Sequence, residues 1–83
     1  MTRRLRIVEW YYGLHGEPLN DRQIGEELGI TKGRVNQLRH EAMWRLCEVQ
    51  GWDWKAVSRE EMRTRLGRVT DLRATLRRWH RAS

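Results

Sequence analysis

Cys47 is the only cysteine of the chain and Pro18 the only proline, and each scarcity closes off an architecture. A lone cysteine excludes an internal disulfide and any zinc site built on several cysteines. It fits a reducing cytoplasm, where a thiol near the end of a helix is expected to be buried and inert. Helix formers dominate and no alternating apolar–polar run marks a strand, so the expected fold class is all-α. No stretch approaches ~18 consecutive apolar residues, the length that would indicate a membrane span. The opening MTRRLRIVEW lacks the apolar core of a signal peptide, and Met1 at its head is expected to begin a whole protein. At 83 residues there is room for one small core and no second one.

Reactive constellations are missing as well. His15, His40 and His80 fall in a turn, a helix and the C-terminus, without metal-ligand spacing, so neither a metal nor a cofactor is expected. Cys47 has no base partner within its helix. Glu26–Glu27 and Glu60–Glu61 are adjacent pairs that diverge around a helix, which makes them solvated acids and not an acid–base couple. An enzyme is not expected.

What the chain has in excess is positive charge at one end. Residues 1–54 carry eight basic and eight acidic groups, whereas residues 55–83 carry nine basic groups against Glu60, Glu61 and Asp71, so the whole net charge of +6 lies there. Such a tail suits a polyanionic partner, or it is the solvated face of an arginine-rich helix; composition does not choose between the two.

The most specific pattern is NDRQIGEELGITKGRVNQLRHEAMWRL, residues 20–46, which has the spacing of a helix-turn-helix. Asn20 can cap a short helix, with Gln23 three residues on to complete a capping box. Gly25 removes a side chain where a second helix must pass close, and Gly29 suits the left-handed turn that ends the first helix. Thr31 can cap a longer helix whose Val35, Leu38, Ala42 and Leu46 share one face. Lys32, Asn36, Gln37 and His40 then lie on the opposite face, with Arg34 and Arg39 at its margins. These donor-rich side chains are of the kind that meet base edges and phosphates. Duplex DNA is therefore the first partner to consider, and any capped helical hairpin is the bland alternative.

The rest reads as helices joined by short breaks. A first helix is expected from about Thr2 or Arg3 to Tyr12, turning Leu5, Ile7, Val8 and Tyr11 or Tyr12 inward and ending at Gly13, with Leu14 tucked back. HGEP (His15 to Pro18) is a tight connection. Gly51 breaks the second helix of the motif. Trp10 and Trp44 sit at helical core spacing and are expected to pack. Trp52 and Trp54 belong either half-buried in a hinge or on an interaction surface. Ser58 with Glu61 has the form of a second capping box, opening a stripe of Met62, Leu66, Val69, Leu72, Leu76 and Trp79 that Gly67 interrupts. Thr70 can cap a fresh start, so one bent helix or two shorter ones fit.

On these residues the chain resembles region 4 of the sigma-70 family of bacterial transcription initiation factors. The likeness runs from IVEWYYGL (Ile7 to Leu14) through IGEELGITKGRVNQL (Ile24 to Leu38) to EAMWRL (Glu41 to Leu46), about half the chain. The YGL element is more specific than the helix-turn-helix itself. The resemblance implies a second helix placed in the major groove of a promoter element and a contact with RNA polymerase. Three departures qualify it. Nothing corresponds to the promoter-melting region of a full sigma factor, and the usual leading helix of region 4 is missing. The family's Arg-Glu-Arg start of the recognition helix, followed by an apolar residue, Arg and Gln, reads Lys32, Gly33, Arg34, Val35, Asn36 and Gln37 in this chain. Gly33 thus stands where an acid reads a base, which implies either an altered target, with the backbone free to approach closely, or simple loss of specificity for the promoter element.

The expectation is a small DNA-binding transcription regulator, bacterial or phage, cytoplasmic and nucleoid-associated. Residues 1–50 would form the region 4-like domain and residues 51–83 a basic helical extension. Arg22, Lys32, Gly33, Arg34, Asn36, Gln37, Arg39 and His40 form its expected DNA face, with Asn36 or Gln37 on adenine and Arg22, Arg34 and Arg39 on phosphates. The alternative is a region 4 mimic that binds RNA polymerase or a sigma factor and alters promoter use. The stripe after Ser58 has three expected uses: folding back over the apolar side of the motif, forming a homodimer, or docking on another protein.

Overall fold

A computed structural model of the chain describes residues 2–69 and Leu72, and among them it contains helices and no strand. Four α-helices follow in order: α1 (Thr2–Tyr12), α2 (Asp21–Leu28), α3 (Lys32–Gln50) and α4 (Arg59–Gly67), with a short 3₁₀ turn at Trp54–Ala56 between the last two.

Each boundary has a local cause. Helix α1 stops because Gly13 takes a left-handed conformation, φ 65°, after which Leu14 N–H donates back to the Glu9 carbonyl at 2.9 Å and turns its side chain under the helix. Asn20 and Gln23 form the full reciprocal capping box at the start of α2, and Gly29 ends that helix at φ 70°. Thr31 Oγ1 accepts from the Arg34 N–H at 3.1 Å and starts α3, which runs until Gly51 terminates it, as its place in the sequence predicts. Ser58 caps α4 by accepting from the Glu61 N–H. The box is not reciprocal there, because the Glu61 carboxylate pairs forward with Arg65 at 3.1 Å.

Helix α1 is the spine of the core. Leu5, Val8 and Tyr12 pack with Ala42, Met43, Leu46 and Cys47 of α3 and with Met62 and Leu66 of α4. Ile7 of the same helix turns the other way, against Ile24, Val35 and Leu38, with Trp10, Tyr11, Leu19, Leu28 and Ile30 around them. One helix thus serves two apolar clusters, one behind the helix-turn-helix and one beneath the extension. Met62 and Leu66 occupy the side that a two-helix motif would leave bare; Leu72 packs against the same cluster. Helix α4 ends at Gly67, where the stripe was expected to break. The proposed restart at Thr70 and the stripe's far end at Leu76 and Trp79 lie outside the described residues.

Trp44 departs from expectation. It is 60 % exposed, because along α3 it lies half a helical revolution from Val35, on the side opposite the buried row. Trp52 and Trp54 are half-buried against the first cluster. Burial pushes the Cys47 thiol pKa up, with Asp53 adding to the effect and Arg65 opposing it.

Gly25 shows how tight the turn is. A Cβ built on it would stand 2.7 Å from the Ile30 carbonyl oxygen, so the close neighbour is the backbone of the turn and not the body of α3. Because backbone cannot swing aside, Gly25→Ala should cost about 1–3 kcal/mol. A urea midpoint unchanged in that variant would show that the turn has slack.

Candidate nucleic-acid interface

The candidate face is the outer side of α3. Val35, Leu38, Ala42 and Leu46 are buried, and helical period then sends their opposites to solvent. Lys32, Gly33, Arg34, Asn36, Gln37 and His40 are all exposed. The Thr31 cap fixes where this row begins, and Gly33 leaves open space in it, since a Cβ there would meet nothing within 4 Å. Arg22 is exposed on α2 and paired with Glu26 at 2.9 Å.

The exposed side chains are not independent of one another. Arg34 Nη1 donates to Gln37 Oε1 at 2.9 Å. His40 Nδ1 lies 2.8 Å from the Asn36 carbonyl oxygen. A carbonyl only accepts, so Nδ1 carries the proton and Nε2 is the atom left for a ligand. The His40 ring also rests on Trp54, with centroids 5.1 Å apart, so the segment after α3 braces the recognition face from one end.

Arg39 does not lie at the margin of this face. It is 7 % exposed, and its Nε and Nη2 donate to the two carboxylate oxygens of Asp21 at 3.1 and 2.9 Å. Its guanidinium lies 3.9 Å from the centroid of the Tyr11 ring, and Arg59 approaches the same ring at 4.2 Å. Arg59 also donates to the Tyr11 carbonyl oxygen. Arg39 therefore ties α1, α2 and α3 together, with its guanidinium committed to Asp21 and Tyr11. The signal was present in the spacing: Arg39 is four residues from Val35 and three from Ala42, inside the apolar row. Nothing in the spacing pointed to Asp21, which comes from another helix.

Burial alone would raise the Asp21 carboxyl, but hydrogen bonds from Arg39 and Asn36, with the Arg39 charge, outweigh it and hold its pKa below the ordinary 3.8. A depressed folded value means that the unfolded chain takes up the proton more readily. The stability this group contributes is therefore complete above 3.8 and is lost as pH falls through the lower folded value. Urea midpoints should drop on acidification through that window, and Asp21→Asn should flatten the drop. An equally steep fall in that variant would assign the acid sensitivity to other carboxylates.

Among the described residues no cluster of His, Cys, Asp and Glu could hold a metal ion, and no helix is long and apolar enough to cross a membrane. A family model described as Sigma-70, region 4, matches residues 2–47, the stretch that holds α1, α2 and all but the end of α3. No curated protein and no solved structure matches the chain. The match extends over more than half of the 83 residues. The chain belongs to the sigma-70 region 4 family, a helix-turn-helix family of DNA-binding transcription proteins.

Proposed function

We propose that the chain regulates transcription by setting α3 into the major groove of a specific duplex. The observation that carries this reading is the exposed row Lys32, Arg34, Asn36, Gln37 and His40 on a helix held from behind by Val35, Leu38, Ala42 and Leu46. Lys32 and Arg34 meet phosphates, as does Arg22 once it lets go of Glu26, while Asn36 and Gln37 reach base edges. An α-helix fits the width of the groove, and amides are the side chains that match adenine there. Gly33 lets the backbone come close at the position where an acid would otherwise read a base. Gln37→Ala should weaken the preferred site by about 1–3 kcal/mol while leaving random duplex nearly untouched. Gel shift on both duplexes checks this, and equal losses on the two would refute base reading by α3.

A second reading, contact with RNA polymerase or a sigma factor, is favoured by one observation. Trp44 and Val49, large apolar side chains of α3, are 60 % and 56 % exposed. Retention of polymerase subunits on the immobilised chain after nuclease treatment supports this contact, and its loss supports DNA alone.

A further inference from the structure

On the outer face of α3, the Asn36 side chain is hydrogen-bonded to a residue of another α-helix. Its Nδ2 donates to Asp21 Oδ2 at 3.2 Å, which links the face of α3 to the start of α2. The bond cannot reverse. Asp21 is ionised beside Arg39, and a carboxylate only accepts. Nor can Asp21 swing away as a surface acid would, because its side chain is 12 % exposed and that of its partner Arg39 is 9 % exposed. Asn36 itself is exposed, and among the described residues Asp21 is the hydrogen-bond partner of its side chain.

Gln37 is set the other way. Its Oε1 accepts from Arg34, and both side chains are exposed, so this pair shows donors outward and can let go. The two amides of the face are thus unequal: one is held by a nearly buried anchor, the other by a mobile surface cation.

We propose that Asp21 is a positioning residue for base selection: by occupying one Nδ2 hydrogen of Asn36, it presents that side chain as a carbonyl beside a single donor, so that the face selects adenine over guanine at the Asn36 position. Adenine shows an acceptor, N7, beside a donor, the N6 amine, whereas guanine shows two acceptors. An unrestrained amide can aim both Nδ2 hydrogens at the two acceptors of guanine; with one hydrogen held by Asp21 it cannot. The proposal rests on the groove reading above and adds which amide reads which base, and why.

The test starts from duplexes selected by the wild-type chain out of a random library. At one position adenine should be preferred to guanine by about tenfold or more, and Asn36→Ala should abolish the preference at that position alone. Asp21→Asn should bring the ratio to about threefold or less, and should add nothing in the Asn36→Ala background. Because this change also weakens the pairing of Arg39, a measurement on the wild-type chain accompanies it. One side-chain amide proton of Asn36 should resonate downfield and should move when acid protonates Asp21. Amide signals that ignore the Asp21 titration overturn the proposal. So does an adenine-to-guanine ratio that Asp21→Asn leaves intact, or one that it lowers equally without Asn36. A wild-type chain that enriches no motif is a different failure: it refutes groove reading itself, whatever the amide signals show.

Discussion

Replacing Arg39 with alanine is expected to cost about 3–5 kcal/mol, the penalty for breaking a nearly buried ion pair by removing one partner. A domain of this size is held by about 4–12 kcal/mol in total, so the variant should be largely unfolded on mild warming. The loss has two parts. Asp21 keeps its charge in a site that is 12 % exposed, with Asn36 the remaining side-chain donor to it among the described residues. Tyr11 also loses one of the two guanidinium groups that lie against its ring. Arg39→Lys should cost less, since a charge remains, but a lysine ammonium cannot reproduce the fork that bonds both oxygens. Thermal and urea unfolding check both variants; a loss under about 1 kcal/mol for the alanine variant would place the pair in the class of surface bridges. The same residue separates structural from DNA-binding arginines. The slope of affinity against salt should be unchanged by Arg39→Lys and should fall by about one unit in Arg34→Ala. An unchanged slope in Arg34→Ala would remove Arg34 from the phosphate contacts.

Met62→Ala is the second large effect, expected at about 2–5 kcal/mol. Met62 is 1 % exposed and packs with Leu5, Val8, Tyr12 and Leu46. It also lies outside the stretch that matches the family, residues 2–47. The prediction therefore bears on what the extension is for. If α4 were an appendage, truncating Met62 would be nearly neutral and the domain would survive without it. If α4 completes the core, the variant loses the transfer energy of the side chain and keeps a cavity between α1, α3 and α4. The same substitution should weaken DNA binding only through the folded fraction, so affinity corrected for that fraction should be unchanged. An uncorrectable loss of affinity would show that α4 acts on the recognition face as well. His40 against Trp54 is the contact through which it would act.

Much of this protein is legible along the chain because helices are local objects. Asn20, Gly29, Thr31 and Gly51 act on their own neighbours within one turn, so the limits of α2 and α3 follow from residue type and spacing. The row Val35, Leu38, Ala42 and Leu46 follows from period alone, and so does the outward row of Lys32, Asn36, Gln37 and His40. Trp44 and Arg39 depart from expectation for different reasons. The core spacing ascribed to Trp44 fails once the angle is counted from Val35, which puts it outside, whereas Arg39 was expected at the margin of the outer face although its angle falls within the apolar row.

Family membership, helix order and the identity of the exposed row were thus set by the order of residues. Three things were decided only by the packing of helices against one another: that Asp21 neutralises Arg39, that two guanidinium groups lie against the Tyr11 ring, and that Met62 and Leu66 close the core. The physical reason is the same for all three. A charge can be buried only where an opposite charge arrives from elsewhere in space, and an apolar face can be covered only by whichever segment reaches it. Separations of eighteen residues between Asp21 and Arg39 and of forty-eight between Tyr11 and Arg59 leave no periodic mark, so nothing short of the folded chain reveals them.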